Sequence, residues 1–447
     1  MSIEAHRSFF EAGNTLPITR RLLALQNLRK AIETHEPEII LALGADLGKS
    51  PFEAYSFEIA PVLQEIDFLI KHTGKQLKSE KVRSPLMLFP GKTIIRHDPY
   101  GLMLLLAPWN YPFQLFMLPL SGMIAGGNVV MGKTSRRSPE TGKIVRIIIR
   151  EVFPDEWVSV EDEIDLKARY DYIFFTGGKE TGRMIAGEAA KNLTPVTLEL
   201  GGKNACIVDK TADIPVAAKR IAWGKFANAG QTCVAPDYLL VQESVKDELV
   251  TKLSEEIKNF YGNDPAENPD YGKIVTKDAY DRLVSFGTAE NTLFKAGEHN
   301  PTGQKIAPMI LSADPADPVM QNEIFGPVLP VITWDKFEEL NTLIKKEPLA
   351  LYIFSGNRKF CDTLLDLHPS GGACINDVIM QAANVNAPFG GVGTSGMGKY
   401  HGKNSLDTFT RKRTVIIQKN KPDIKLRYPP YTEKTLKLVR KWRKIMF

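Results

Sequence analysis

Hydrophobic residues recur three and four positions apart through residues 1–75, which predicts amphipathic helices in this part of the chain. Beyond residue 100 the pattern changes to short apolar runs that alternate with segments of helical periodicity. The runs predict strands in Leu102–Leu106, NVVMGK and YDYIFFTGG, and the other segments predict helices in LPLSGMIAGG, SPETGKIVRIIIREVF and KETGRMIAGEAAKNL. Strands that alternate with helices at this spacing indicate a parallel sheet with both faces covered.

The same alternation starts again after residue 200. KNACIVD and DYLLVQESV predict strands, and IPVAAKRIAWGKFANAG and KDELVTKLSEEIKNFYG predict helices, so we expect a second α/β domain. Residues 81–98 (KVRSPLMLFPGKTIIRHD) stand outside this scheme and predict a β-hairpin with a Pro-Gly turn. We expect this hairpin to be an arm at a subunit interface.

The composition is that of a globular protein, and its charge is unevenly distributed. The 447 residues are 43% hydrophobic and 24% charged, which excludes wholesale disorder and allows two or three domains. The net charge is +5, and the segment from Arg411 onward carries 13 Lys/Arg against two acidic residues, or +11. The rest of the chain is therefore about −6 (5 minus 11), and it lacks the basic character of a nucleic-acid-binding protein.

The four cysteines are Cys206, Cys233, Cys361 and Cys374, and their spacing is not that of a metal site. No secretory signal precedes them, and no stretch reaches the roughly 18 uncharged apolar residues that a membrane span requires. We therefore expect reduced thiols, a cytoplasmic protein, no bound metal and no stable membrane anchor.

Three residues are candidates for catalysis. Cys233 lies among small and polar residues in NAGQTCVAPDY, which favours a nucleophile, the alternative being an inert buried thiol. Glu199 precedes a Gly pair in TLELGGKN and could act as a general base, or it could be a surface glutamate before a turn. Asn110 follows a buried strand in APWNYPF, where its amide could donate to an oxyanion or simply make the turn.

Two stretches suggest a bound anion or nucleotide. FTGGKETG is a Gly-rich strand-to-helix turn, although it lacks the GxGxxG spacing and is a weak dinucleotide signal by itself. In MGKTSRRSPETG a strand is followed by Lys133, Arg136 and Arg137, and then by a helix that Ser138 is expected to cap. Cations crowd a helix N-terminus that is already positive, so they point to a negatively charged ligand.

Taken together, six motifs make the sequence similar to the aldehyde dehydrogenase superfamily. They are APWNYPF, FTGGKETG, TPVTLELGGKN, NAGQTCVAPDY, NEIFGPVLPV and PFGGVGTSGMGKYHGKNSLDTFTRKR, in the order of the family. CVAPDY, GMGKYHGK and RYPPY resemble the class 3 branch, which includes fatty and aromatic aldehyde dehydrogenases. The resemblance implies an α/β fold with a Rossmann-like NAD(P)-binding domain (1–80 and 99–199), an α/β catalytic domain (200–407), a small β bridging and oligomerisation arm (81–98 and 408–422) and a basic tail (423–447).

The resemblance also implies roles for particular residues. Cys233 matches the nucleophile, Glu199 the base that activates the deacylating water, and Asn110 the oxyanion donor. The residues that match cofactor contacts are Trp109, Lys133, Ser135, Arg136, Gly177, Gly178, Gly182, Glu323 and Phe325. Arg136 stands where the family has an acid that binds the adenosine ribose, and an arginine there accommodates a 2′-phosphate. We therefore expect NADP to be preferred over NAD.

The expected function is oxidation of medium- or long-chain aliphatic or aromatic aldehydes to carboxylic acids through a cysteine thioester. The apolar residues Tyr111, Phe113 and Met117 near Asn110 favour such substrates over charged semialdehydes. Two alternatives stay open: a CoA-acylating semialdehyde dehydrogenase, and a catalytically silent binding or structural relative. The resemblance also implies a homodimer. In the tail, Leu436, Val439, Trp442 and Met446 fall on one side of a predicted helix, which either lies on a membrane surface or packs on the protein itself.

Overall fold

The computed structural model describes residues 1–446, with side chains through Arg443. Its first part is helical, as predicted, and a π-helical segment (Tyr55–Ile59) joins the fourth helix to the fifth. The helices are α1 (Ile3–Glu11), α2 (Ile18–Thr34), α3 (Glu36–Leu47), α4 (Pro51–Ala54) and α5 (Ala60–Gln76). The predicted hairpin follows as the antiparallel pair β1 (Glu80–Val82) and β2 (Lys92–Pro99), with Pro90 and Gly91 between the strands.

The first sheet is built from alternating strands and helices, as the hydrophobic pattern predicts. These elements are β3 (Leu102–Leu106), α6 (Gln114–Gly126), β4 (Val129–Lys133), α7 (Pro139–Val152), β5 (Val158–Val160), β6 (Tyr172–Gly177), α8 (Lys179–Lys191) and β7 (Val196–Leu200). The parallel strands lie in the order β7-β6-β3-β4-β5. The chain runs outward from β3 to β5 and returns to β6 on the other side, so the topological switch point lies between β3 and β6.

The second sheet is also mostly parallel, and its order is β10-β11-β12-β9-β8-β13-β14 with β10 antiparallel to its neighbour. Its elements are β8 (Ala205–Val208), α9 (Ile214–Phe226), β9 (Tyr238–Gln242), α10 (Lys246–Tyr261), α11 (Lys277–Val284), β10 (Thr292–Lys295), β11 (Met309–Ser312), α12 (Pro318–Gln321), β12 (Val328–Trp334), α13 (Leu340–Leu343), β13 (Ala350–Phe354), α14 (Arg358–Leu367) and β14 (Gly372–Ile375). Each sheet has its own hydrophobic core.

The chain then returns to the first sheet with β15 (Gly396–Met397) and α15 (Lys403–Thr408). It continues with β16 (Thr410–Ile417) of the arm and with the tail helix α16 (Glu433–Met446). β15 pairs antiparallel with β7, and Tyr400, Leu406 and Phe409 belong to the first core. Tyr400 and Leu406 fall within the range 200–407 expected to form the catalytic domain, yet the second core does not include them among the described residues. β16 pairs with β2 and completes the sheet β1-β2-β16 of the arm.

One local expectation, the Ser138 cap, is corrected by the structure. Within residues 1–446, Ser138 makes no side-chain capping bond to α7; instead Asp46 of α3 accepts the N–H groups of Glu140 (3.2 Å) and Thr141 (2.7 Å). The tail helix α16 contacts the turn Leu86–Leu88, with Val439 half-buried and Leu436 and Trp442 exposed, so both alternatives for this helix stay open. The Met446 side chain and Phe447 lie outside the described part.

No helix among residues 1–446 combines the length and the apolar composition needed to cross a bilayer.

Candidate active site

A cavity of about 660 Å³ lies where the carboxyl ends of β3, β6 and β7 face the loop that follows α9. In an open parallel sheet, ligands bind outside the strand ends at the switch point, which is where this cavity opens. Eight of the twelve predicted site residues line it: Trp109, Asn110, Gly177, Gly178, Glu199, Cys233, Glu323 and Phe325. The other four, Lys133, Ser135, Arg136 and Gly182, lie elsewhere.

Cys233 is half-buried, and its loop is held by hydrogen bonds from Asn204, which lies between β7 and β8. The Asn204 side-chain amide donates to the carbonyl oxygens of Cys233 (2.8 Å) and Ala235 (2.9 Å). Burial, together with the charges of Glu323 and Glu199, raises the pKa of the Cys233 thiol to about 12, although backbone N–H groups at the thiol offset part of the rise. The thiol is therefore protonated at neutral pH, and attack requires that its proton leave.

Glu199 lies in β7, paired with Thr176 on β6 and with Gly396 on β15. Its side chain is buried, and neither carboxylate oxygen has a hydrogen-bond partner within residues 1–446. Burial raises its pKa well above the usual range, and the charge of Lys399 offsets only part of this rise. A carboxylate with this high proton affinity, facing a cavity with unused acceptor capacity, is suited to take a proton from a substrate or water.

Asn110 follows β3 and is bonded directly to the Cys233 loop. Its side-chain amide donates one N–H to the carbonyl oxygen of Gln231 (3.1 Å), so the second N–H is available to another acceptor. Its backbone carbonyl accepts bonds from the Asn228 amide (2.9 Å) and from Lys49 Nζ (3.2 Å). These contacts fix the donor group relative to Cys233.

Glu323 and Phe325 line the side of the cavity near Trp109. The ring of Phe325, whose φ is +52°, packs edge-on against Trp109 with centroids 5.5 Å apart. Burial and the charge of Asp237 raise the pKa of Glu323 to about 8. A Cβ on Gly201 would lie 1.9 Å from the Glu323 carboxylate, so the close approach of that carboxylate to the loop requires glycine there.

A buried ion pair that the sequence analysis did not single out holds the Glu323 loop. Lys203 Nζ contacts Asp237 (2.6 Å) and also donates to the carbonyl oxygen of Asn322 (2.8 Å). The other Asp237 oxygen accepts the backbone N–H of Ile324 (2.9 Å). Asn322 and Ile324 flank Glu323, so both sides of this residue are tied to the Lys203–Asp237 pair.

The predicted phosphate-binding cations lie at the surface, at the end of β4. Lys133 Nζ is 3.6 Å from a carboxylate oxygen of Glu163, and the Arg136 guanidinium contacts the other oxygen. Arg136 and Glu163 are 73% and 76% exposed, so this ion pair is open to solvent. Ser135 shapes the turn by accepting the Arg137 N–H (3.2 Å).

Gly182 does not line the cavity, and its contact with the cofactor stays a prediction. Gly182 is buried in α8, and a Cβ there would lie 2.6 Å from the Leu200 side chain. Its role is to allow close packing of a helix on a strand. The substrate expectation is corrected in part, because Tyr111 lines the cavity whereas Phe113 and Met117 are core residues.

The residues present fit a nicotinamide dinucleotide. A Cβ on Gly178 would meet no atom of the described residues within 4 Å, so the turn after β6 leaves room beside the cavity. The unpartnered Glu199 faces that cavity, and Lys133 and Arg136 supply cations at the same edge of the sheet. No group of His, Cys, Asp and Glu side chains in the described chain is arranged to hold a metal ion.

Comparisons with known proteins agree with this geometry. A model of the aldehyde dehydrogenase family matches residues 2–415. The 4,4'-diaponeurosporen-aldehyde dehydrogenase of Staphylococcus aureus is 42% identical over 438 residues, covering 96% of this chain and 95% of that protein. The dog protein named aldehyde dehydrogenase, dimeric NADP-preferring, is 39% identical over 439 residues, covering 96% of this chain and 97% of its own.

A solved structure has nearly the same fold. The substrate-bound state of Staphylococcus aureus AldH matches with a TM-score of 0.96 and 40% identity, covering 99% of this chain and 100% of that one. The Rossmann-like arrangement expected from the sequence is thereby confirmed. The chain belongs to the aldehyde dehydrogenase family.

Proposed function

We propose that this chain oxidises apolar aldehydes to carboxylic acids through a thioester on Cys233, with NADP or NAD as the hydride acceptor. The observation that carries the proposal is the single cavity that Cys233, Glu199 and Asn110 line together at the ends of parallel strands. Family membership supports the same reaction class, because its members are oxidoreductases that act on aldehydes.

In the first half of the reaction, the S–H bond of Cys233 breaks and its proton passes to water, while Sγ forms a bond to the carbonyl carbon and the C=O π electrons move to the oxygen. The carbonyl oxygen gains negative charge, and the free N–H of Asn110 and the backbone N–H of Cys233 are the donors that would stabilise it. A bound nicotinamide dinucleotide supplies the acceptor for the hydride that this carbon must lose. Glu323, Phe325, Trp109, Gly177 and Gly178 line the cavity where that group would be held.

In the second half, water must hydrolyse the thioester and restore the thiol. Glu199 is suited to take the proton of that water, because its pKa is raised and both oxygens lack partners in the described chain. The same feature argues against transfer of the acyl group to CoA, since such a transfer needs no water-activating base.

The lining of the cavity supports an apolar substrate. Away from the reacting groups it is made mainly of aromatic and aliphatic side chains, among them Phe57, Leu115, Trp223, Ile379 and Phe389. Such walls favour aliphatic or aromatic aldehydes, because a charged semialdehyde would have to lose its hydration against these apolar side chains.

The adenosine end supports a preference for NADP. Lys133 and Arg136 already hold the Glu163 carboxylate, so this surface attracts an anion. A 2′-phosphate carries nearly two negative charges and three acceptor oxygens, and it would compete well against one exposed carboxylate. The 2′-phosphate of NADP would therefore replace the Glu163 carboxylate as the partner of Arg136.

The assay that tests this function follows absorbance of the reduced nicotinamide with an aldehyde panel. We expect kcat/KM to rise with chain length along a series of aliphatic aldehydes. It should be lower for succinic semialdehyde than for these aldehydes or for benzaldehyde, and it should be higher with NADP than with NAD. Formation of acyl-CoA in place of the free acid would instead favour the CoA-acylating alternative. Absence of turnover with every aldehyde and both cofactors would favour a silent relative.

We also propose that the chain acts as a cytoplasmic homodimer assembled through the arm β1-β2-β16. Val82, Ile416 and Ile417 are exposed on this arm, and a dimer would cover them. The name of the dog relative describes that protein as dimeric. Light scattering during size-exclusion chromatography measures the mass, and a monomer at micromolar concentration would contradict the proposal.

A further inference from the structure

Beneath the Asn110 turn lies an ion pair that the reaction described above does not use. Lys49 Nζ contacts the carboxylate of Glu58 at 2.5 Å, and both side chains are completely buried. Burial raises the pKa of Glu58, whereas the charge of Lys49 and two backbone N–H donors lower it. Lys49 follows α3 and Glu58 lies in the π-helical segment, so the pair comes from a part of the chain that contributes no predicted catalytic residue.

The cation touches the active-site turn at two points. Lys49 Nζ donates to the backbone carbonyl of Asn110 (3.2 Å) and lies 3.8 Å from the centre of the Tyr111 ring. The Tyr111 hydroxyl in turn bonds the hydroxyl of Thr232 (2.6 Å), the neighbour of Cys233. Lys49 is thus joined to the oxyanion donor directly and to the Cys233 loop through one side chain.

The anion holds the other end of the same turn. The second carboxylate oxygen of Glu58 accepts the backbone N–H groups of Phe113 (3.1 Å) and Gln114 (2.9 Å) at the start of α6. The segment 110–114 is therefore bonded to one buried pair at both ends. The first of these residues carries the proposed oxyanion donor.

We propose that Lys49 and Glu58 are positioning residues, which fix the Asn110 amide and the Cys233 loop at the separation that oxyanion stabilisation requires. The inference rests on the proposed function, because it assigns Asn110 the oxyanion role. Stability alone is a weak reason for such a pair, since replacing a buried ion pair by apolar side chains is often neutral or stabilising. A donor displaced by a fraction of an ångström, in contrast, loses much of its effect on the transition state.

The test replaces both charges at once, in the variant Lys49→Met/Glu58→Gln. The new side-chain amide could keep an acceptor for the N–H groups of Phe113 and Gln114, so we expect the melting temperature to stay near that of the wild type. We expect kcat to fall about ten- to a hundredfold, somewhat less than the loss of a whole oxyanion donor. The aldehyde KM and the cofactor Kd, measured by fluorescence titration, should change less than about threefold, because the lost interaction acts in the transition state.

A second measurement separates positioning from folding. In an Asn110→Ala background the same double substitution should lower kcat clearly less than in the wild type, because the part of the effect that acts through the Asn110 amide is already lost. Active-site titration of Cys233 counts the folded sites, so a partly folded variant still gives kcat per site. Lys49→Met alone serves if the double variant does not fold, because the buried Glu58 can then take up a proton instead of remaining an unpaired charge, and the same non-additivity is expected.

Arg21→Met is the matched control. Arg21 is a buried cation that donates to backbone carbonyls at the other end of α6, including those of Ala125 and Gly126 (both 3.3 Å). We expect it to lower the melting temperature and to leave kcat per folded site unchanged. The proposal is overturned if Lys49→Met/Glu58→Gln keeps the wild-type kcat, or if its loss is as large in the Asn110→Ala background. Turnover by Cys233→Ala would overturn the proposed function instead.

Discussion

Two ion pairs, one beneath the Asn110 turn and one at the end of β4, join the same kinds of group in opposite surroundings. Lys49–Glu58 is completely buried and bonded on both sides to the Asn110 turn, whereas Arg136–Glu163 is about three-quarters exposed. Breaking a buried pair leaves an uncompensated charge and is costly, whereas an exposed pair contributes about 0–1 kcal/mol. The buried pair is thus suited to fix geometry, and the exposed pair is suited to exchange its carboxylate for a ligand.

The same contrast runs through the whole site. At the reaction end, burial raises the pKa values of Cys233, Glu199 and Glu323, so proton affinities there are set by the protein interior. At the proposed adenosine end, around Lys133 and Arg136, charges meet in solvent and are screened by salt. Substitutions at the reaction end should therefore change the chemical steps, and substitutions at the adenosine end should change the choice of cofactor.

The largest effect is expected from Cys233→Ala. The variant loses the only group proposed to bond with the substrate carbon, so dehydrogenase turnover should fall below detection while the cofactor Kd stays within about twofold. The rate of reduced nicotinamide formation gives the first quantity, and fluorescence titration gives the second. Cys206→Ala is the control and should stay active, since Cys206 is completely buried in β8 and does not line the cavity.

Glu199→Gln should separate the two halves of the reaction. The amide cannot take a proton from water, so we expect a burst of about one reduced nicotinamide per site, followed by a steady-state rate lowered about 10²–10⁴-fold. In the wild type, the deacylation rate should rise with pH, because the raised pKa of Glu199 keeps the base protonated at lower pH. Stopped-flow absorbance resolves both phases, and a variant that shows no burst would assign Glu199 a role before hydride loss.

The sequence predicted the parts of this molecule that depend on contiguous residues. The strand Leu102–Leu106 has the bounds expected from its apolar run, and the motifs around Glu199 and Cys233 identified residues that line one cavity. The sequence could not show Lys49 or Glu163, because each acts on a segment that is distant in the chain. The Ser138 cap failed for the same reason, since Asp46 from another helix takes its place.

Local patterns also cannot distinguish a cavity wall from a core. Tyr111, Phe113 and Met117 have the same apolar character in sequence, yet only Tyr111 among them lines the cavity. What decides is the direction of each side chain from the turn, and that direction depends on where the turn is bonded. Lys49 and Glu58 hold this turn, and both lie far from it in the sequence. The directions of the side chains on the turn therefore depend on contacts that a local pattern does not contain.

Glu65 is a buried carboxyl that, unlike Glu58, is not paired with a cation among the described residues. It accepts the Gly402 N–H and the Ser405 hydroxyl, and burial raises its pKa to about 7. The folded state therefore keeps this proton at pH values where the unfolded chain has lost it. Stability should fall as pH rises from about 4.5 to above 7, by up to about 3 kcal/mol from this group.

Glu65→Gln should remove that part of the pH dependence. Urea unfolding at pH 5 and pH 7.5 measures it, and the variant should lose less stability between these values than the wild type does. A wild type whose stability is the same at both pH values, or a variant with an unchanged slope, would show that Glu65 does not retain its proton in the folded state.

Arg136→Glu should shift the choice of cofactor toward NAD. A charge-assisted hydrogen bond contributes about 1.5–3 kcal/mol, so the ratio of kcat/KM for NADP to that for NAD should fall about ten- to a hundredfold. The Kd values of both cofactors, from fluorescence titration without aldehyde, should change in the same ratio. A wild type that prefers NAD, or a variant with an unchanged ratio, would remove Arg136 from the cofactor site.

The smallest effect is expected from Glu163→Gln, which removes the carboxylate that competes with a 2′-phosphate. Because an exposed pair is worth about 0.2–1 kcal/mol, the NADP-to-NAD ratio should rise only about 1.4- to fivefold, and less at high salt. Asp162→Asn removes the same charge one position earlier, where the carboxylate pairs with Arg146 instead. If both variants raise the ratio equally, the effect is one of general charge; a rise confined to Glu163→Gln would place the phosphate at Lys133 and Arg136.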